Sequence, residues 1–271
     1  MTDVPRVLTI AGSDSGGGAG IQADLKAFAR CGVYGTCAIT AVTAQNTRGV
    51  VLVHDVPPAV VRAQIEAVAG DIGFDAVKIG MLGSAATVHA VADCLRELVD
   101  PATAIVVDPV LAASSGARLL TDDALATLIG ALLPLARVVT PNLPEARALV
   151  EHVGLDGGQT DADLARAVLE LAPRSVVLTG GHRRAPGDIY CDAGQLVEIE
   201  TPRYDTSATH GSGCTHSAVL AAELAKGSTP LEAAKTAARL TAEAIRDGLD
   251  GIGSGAGPVD ILAIAAFREQ R

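Results

Sequence analysis

Aromatic residues are nearly missing from this 271-residue chain, which has three Phe, three Tyr and no Trp. Without ring faces it lacks the stacking platforms that single-stranded nucleic acid needs. Its core must be built from Ala, Val, Leu and Ile, as in α/β folds. Positive charge is scarce as well: 21 Lys and Arg stand against 31 Asp and Glu, a net charge of −10, whereas nucleic-acid binding calls for concentrated cations. The five cysteines (Cys31, Cys37, Cys94, Cys191, Cys214) are scattered and form no Cys-x-x-Cys pair. That excludes a Cys-rich zinc site and suits a reducing compartment. The six histidines show no His-x-x-x-His spacing. No apolar run approaches the ~20 residues of a spanning helix, and Met1-Thr2-Asp3-Val4-Pro5 does not read as a signal peptide. The expectation is a cytoplasmic protein with neither a nucleic-acid nor a membrane partner.

What is present is a regular alternation. A hydrophobic fraction of 49% rules out disorder, and the length suits a single domain spanning 1–271. Short apolar runs at 7–11, 38–44, 76–79, 104–107, 138–140 and 175–178 read as strands. Amphipathic stretches at 19–31, 59–72, 85–99, 122–132, 145–150 and 161–171 read as helices between them. This is the βαβ pattern of a parallel sheet. Segments 188–191 and 196–200 flank Asp192-Ala193-Gly194-Gln195, a hairpin turn at the rim. Two Ala-rich helices follow at 215–226 and 231–247.

In open α/β sheets, ligands bind beyond the carboxyl ends of the strands. Here those ends carry Gly12–Gly20, Gln45-Asn46, Gly80-Met81, Asp108-Pro109, Pro141-Asn142-Leu143-Pro144-Glu145 and Thr179-Gly180-Gly181-His182. One such loop would be a connection; together they are a site. The Gly12–Gly20 loop is neither a Walker A loop nor a complete Gly-x-Gly-x-x-Gly. Gly211-Ser212-Gly213-Cys214 runs directly into an apolar helix, where free N–H groups favour anions and a cysteine's pKa is expected to be depressed. Cys214 and His216, two apart on a helix, face different directions, which disfavours an acyl-transfer pair. Asp108 with Asn142 and Glu145 suits Mg²⁺, which needs few carboxylates. The competing reading of Asn142 and Glu145 is a helix cap. Asp24 near the start of its helix is either a ligand acceptor or part of a solvated face.

The motifs Ser15-Gly16-Gly17-Gly18-Ala19-Gly20-Ile21-Gln22-Ala23-Asp24-Leu25-Lys26, Ala44-Gln45-Asn46-Thr47, Lys78-Ile79-Gly80-Met81-Leu82, Val107-Asp108-Pro109-Val110, Thr140-Pro141-Asn142-Leu143-Pro144-Glu145 and Thr209-His210-Gly211-Ser212-Gly213-Cys214-Thr215 occur in this order. With them the chain resembles the hydroxymethylpyrimidine/phosphomethylpyrimidine kinases of thiamine biosynthesis, in the ribokinase-like superfamily. The resemblance implies a three-layer α/β/α sandwich, a mostly parallel sheet with an antiparallel edge hairpin, and ATP with Mg²⁺. It implies successive phosphorylation of 4-amino-5-hydroxymethyl-2-methylpyrimidine and of its monophosphate. Asp24 and Gln45 match the pyrimidine-holding positions, with Gly12 and Met81 lining the pocket. Cys214 matches an aspartate base of most ribokinase relatives, and Gly211, Ser212 and Gly213 supply the anion hole. Asp108, Asn142 and Glu145 match the metal and phosphate network, and Thr179, Gly180 and Lys235 the ATP contacts. A homodimer is common in that family. The chain departs from the pattern in lacking a lysine and an aspartate across 111–117, a flap expected to close over substrate, and in having Thr179 for a lysine. The rival readings are a pyridoxal or pyridoxine kinase of the same fold, and a catalytically silent ligand sensor.

Overall fold

The computed structural model describes residues 4–112, 116, 119–180 and 187–266. The chain runs β1 (Arg6–Asp14), α1 (Gly20–Arg30), β2 (Tyr34–Asn46), β3 (Gly49–Asp55), α2 (Pro58–Asp71), β4 (Ala76–Ile79), α3 (Ala85–Leu98) and β5 (Ala104–Val107). It continues α4 (Asp122–Thr127), β6 (Val138–Val139), α5 (Leu143–His152), α6 (Asp161–Leu169), β7 (Ser175–Leu178), β8 (Asp188–Asp192), β9 (Leu196–Ile199), α7 (Ser212–Ala225) and α8 (Pro230–Arg246). Nine strands form one sheet in the order β3-β2-β1-β4-β5-β6-β7-β8-β9. The run from β2 to β7 is parallel. The expected rim hairpin is β8–β9, antiparallel to each other and to β7.

Strand β3, antiparallel to β2, is an addition to the expected fold. Its run Val50-Val51-Leu52-Val53 does not alternate with polar residues, and Val51 is 79% exposed. It follows Thr47-Arg48, which lacks the Asn-Gly or Gly-Gly mark of a tight hairpin. The expected helix 122–132 is another difference. α4 ends at Thr127, and the chain passes through a π turn at Leu128–Leu132 and a 3₁₀ turn at Leu133–Leu135. Pro134 has no N–H with which to continue an α-helix.

Alternation along the central strands divides the core between the two faces of the sheet. Leu8, Ile10, Val77, Ile79, Ile105 and Val107 pack on one side. Val7, Ala76, Val106, Val138 and Val177 pack with Phe28, Leu220 and Ala237 on the other, under α1, α7 and α8. On this second side, parity also directs Thr9, Lys78 and Asp108 toward α1 and α7. From β1 the chain turns to β2 on one side and returns to β4 on the other. The crevice where strand order reverses therefore lies above β1 and β4, at Gly12 and Gly80.

Candidate functional site

The glycine loop is organised around Asp14. Its carboxylate accepts from the N–H groups of Gly16 (2.7 Å), Gly18 (3.1 Å) and Ala19 (2.9 Å), and lies 3.0 Å from His210 Nε2. Burial acts to raise its pKa, but His210 and the Gly16 and Ala19 N–H groups outweigh this and hold it below its ordinary value. Gln22 accepts from the Asp14 N–H, and Lys26 donates to the Gly17 carbonyl. The beginning of α1 is thereby fastened to residues just before α7.

The two helix starts meet at Cys214. The Gly20 N–H donates to its sulfur, and the charges of Lys78, Asp24 and Asp108 all act on it. Gly211 caps α7 with φ +81°, and a Cβ there would lie 1.7 Å from the Gly18 carbonyl oxygen, so only glycine fits. The N–H of Ser212 folds back to the Thr209 carbonyl at 3.2 Å. The expected anion hole therefore narrows to Gly213 and Cys214, whose N–H groups have no backbone acceptor among the described residues. Gly213 is exposed, with open space where a side chain would stand. The expected thiolate is corrected: burial pushes the Cys214 thiol up to about 12 against the pull of Lys78, so it is protonated at neutral pH.

Asp24 is also corrected. It is fully buried, 3.0 Å from Lys78 Nζ, and accepts from Thr9 Oγ1 at 2.6 Å. It therefore does not sit on a solvated helix face. Lys78 is itself fully buried and is the residue that sequence reasoning missed. Its mid-strand position in Ala76-Val77-Lys78-Ile79 was the available signal, since a lysine inside a buried strand needs a partner. Of the other expected pocket residues, Gly12 and Met81 are neighbours. A Cβ on Gly12 would touch Met81 Sδ at 3.4 Å. Gln45 holds the Ser15 hydroxyl through its backbone, while its side-chain oxygen accepts from Thr43 at 3.1 Å.

Asp108 is buried, accepts from Ser217 Oγ at 2.9 Å, and has a raised pKa, chiefly from burial. Glu145 and Asn142 form a capping box at the start of α5, so the side-chain oxygen of Asn142 is engaged with the helix rather than with a ligand. Burial, then the Asp108 charge, push Glu145 up to about 8 against hydrogen bonds from Asn142 and Leu111. No group of three or more His, Cys, Asp and Glu among the described residues could hold a metal ion. Two carboxylates that oppose each other's ionisation still fit Mg²⁺, which keeps most of its waters.

The folded state holds the Glu145 proton more tightly than the unfolded chain does. Between pH 4.5, its ordinary value, and about 8 this group therefore makes stability fall as pH rises. Glu145→Gln preserves a capping-box residue and should remove that slope, which amounts to roughly a few kcal/mol. Melting curves at pH 5 and 8 with chelator check this; an unchanged slope refutes it.

The expected ATP contacts do not assemble as a group. The Thr179 N–H is bonded to the Pro141 carbonyl and the Gly180 N–H to Asp188 Oδ1, at 2.9 and 2.8 Å. Asp188 in turn lies 3.0 Å from His216 Nε2, a link between this loop and α7 that local spacing did not signal. Lys235 lies elsewhere: α8 begins beside the starts of β5, β6 and β7, and Lys235, exposed in its second turn, acts on Glu232. Helix α7 runs down from the site, so the first half of α8 is at the opposite rim. The flap at 114–117, apart from Gly116, and Gly181-His182 lie outside the described residues. No helix among the described residues is long and apolar enough to cross a membrane.

The phosphomethylpyrimidine kinase family model matches residues 14–260. A hydroxymethylpyrimidine/phosphomethylpyrimidine kinase of Haemophilus influenzae is 46% identical over 96% of this chain and 97% of its own length. One from Rhizobium meliloti is 49% identical over 93% and 95%. An ADP complex of Bacillus subtilis pyridoxal kinase superposes with a TM-score of 0.86 at 35% identity, covering 97% of this chain and 99% of that one. The three-layer architecture is thus that of known vitamin kinases, and the named relatives support phosphotransferase activity. The chain belongs to the phosphomethylpyrimidine kinase family.

Proposed function

We propose that this chain, as a single domain, transfers phosphoryl groups from ATP to 4-amino-5-hydroxymethyl-2-methylpyrimidine and then to the monophosphate so formed. The observation that carries this reading is the meeting of two helix starts at Cys214, above a buried lysine and beside a carboxylate pair. Phosphoryl transfer is mainly positioning and charge stabilisation. The Gly213 and Cys214 N–H groups would face charge developing on the transferred group. Gly12, Met81 and Gln45 would hold the ring; the thiolate form of Cys214, a small fraction at neutral pH, would take the hydroxyl proton as the substrate oxygen bonds to the γ-phosphorus of ATP and the bond from that phosphorus to ADP breaks, ADP leaving with the electron pair. Asp108 and Glu145 would hold Mg²⁺ through water; when bound, the ion neutralises phosphate charge. ATP is supported by the ADP complex of the structural neighbour. The absence of cysteine pairs supports a cytoplasmic setting. The exposed Val51 and Leu52 of β3 support a homodimer.

The superposition on pyridoxal kinase favours a second reading, in which the same pocket takes pyridoxal. Incubation with Mg-ATP and each candidate alcohol, followed by mass spectrometry of the phosphorylated products, tests both. Phosphorylation of the pyrimidine and its monophosphate is expected; turnover of pyridoxal alone overturns the first reading. Gln45→Leu should weaken pyrimidine binding roughly 5–150-fold, as an unpaired polar contact does, and leave ATP affinity unchanged. Calorimetry showing equal pyrimidine affinity would remove Gln45 from the pocket.

A further inference from the structure

A cavity of about 610 Å³ opens at the rim of the sheet opposite Cys214, among the starts of β5, β6 and β7, the end of α7 and the start of α8. That volume lies within the range of small-molecule sites. Leu95, Ile105 and Leu224 give it an apolar wall. Its polar lining is unusual for a chain of net charge −10, because it contains Arg96, Arg137 and Arg174 against a single carboxylate, Asp100.

Arg96 is already engaged, with Asp93 and the Ala131 carbonyl. Arg137 and Arg174 have no such side-chain bond among the described residues. Val139 pairs with Val176 in the parallel register, and two steps back along each strand brings Arg137 beside Arg174. The Arg174 N–H, bonded to the Ala136 carbonyl, confirms the alignment. Neighbouring parallel strands are ~4.8 Å apart, and like charges facing each other across a sheet are destabilising. Among the described residues neither guanidinium has a carboxylate partner in a hydrogen bond or ion pair. The charge of Arg137 reaches Tyr190, whose hydroxyl is held by Asp192. The start of α8 adds little, because Glu232 caps it. The two arginines must therefore carry any attraction.

We propose that Arg137 and Arg174 form a binding site for a small phosphate ester, its phosphate bridging the two guanidinium groups and its body lying on the apolar wall of the cavity. Arginine forks match phosphate oxygens in pairs, and a dianion there removes the repulsion between the strands. The site is separate from the transfer centre, being on the other rim of the sheet.

Calorimetry with inorganic phosphate as probe should show a site in the wild type that weakens roughly 10- to 100-fold in Arg137→Gln/Arg174→Gln, the loss of charged hydrogen bonds. Turnover with Mg-ATP should be unchanged in that variant. Phosphate should raise the melting temperature of the wild type more than that of either single glutamine variant. In phosphate-free buffer each single variant should melt no lower than the wild type. Arg137→Lys/Arg174→Lys, which keeps the charge and loses the forks, should fall between. Identical phosphate affinity in wild type and double glutamine variant overturns the proposal, as does a phosphate response of the melting temperature that the substitutions leave intact. Succinate binding as tightly as phosphate overturns the assignment to phosphate esters.

Discussion

Replacing Cys214 with alanine should lower kcat by ~10²–10⁴, the span seen when a general base is lost, while the KM for ATP changes little. The high thiol pKa places the effect toward the lower end, since a base works best when its pKa is near the working pH. The same fact makes a second expectation. Free-enzyme groups govern the pH dependence of kcat/KM, and a thiol pushed up to about 12 is far from its midpoint at neutrality. If its thiolate takes the substrate proton, kcat/KM should climb with pH from 6 to 9 without a plateau. Cys214→Asp, whose carboxylic acid ionises at lower pH than the thiol, should make the rise shallower. Steady-state kinetics across this range decide the matter. Wild-type turnover in the alanine variant, or a flat profile in the native enzyme, removes Cys214 from the proton transfer.

Lys78→Met should destabilise the protein by about 3–5 kcal/mol, the range for breaking a buried ion pair by removing one partner. Both groups are fully buried, so Asp24 would be left with an uncompensated charge or forced to take a proton. A loss of that size is a large fraction of the ~5–15 kcal/mol that holds a domain folded. Urea unfolding measures it directly. Asp24→Asn combined with Lys78→Met should recover much of the loss, because two neutral groups in place of an ion pair are often tolerated. Strictly additive destabilisation in the double variant would show that the two residues do not act as a pair. Any remaining defect in the stable double variant would then report on catalysis, since the positive charge of Lys78 acts on both Cys214 and Asp108.

The sequence by itself determined the sheet and its helices, because their periods are local. Runs such as Ala76-Val77-Lys78-Ile79 and Ala104-Ile105-Val106-Val107 are short, apolar and rich in β-branched residues, as strands buried on both faces are, and their alternation with helices points to a parallel sheet. It also placed the glycine and polar loops on one rim, because those residues follow the strands. The need for glycine at Gly211 was not legible in the same way: its left-handed backbone and the close approach of the Gly18 carbonyl emerge only in the folded chain. Nor was the exposed strand β3 legible, since its apolar run carries neither alternation nor a marked turn.

The tertiary structure decided the charges. Whether Asp24 meets substrate or a buried lysine depends on a residue 54 positions away, brought there by the parity of β4 and the seating of α1. The protonation of Cys214 depends on burial and on the charges of Asp24 and Asp108, which outweigh the pull of Lys78 and of the Gly20 N–H. Lys235 was misplaced because motif order says nothing about which end of a helix lies at which rim; α7 runs away from the site, and α8 begins where it ends. Hydrogen bonding along a strand or a helix is a short-range matter, readable from neighbours. Electrostatic energy in a buried site is a sum over groups that only folding brings together.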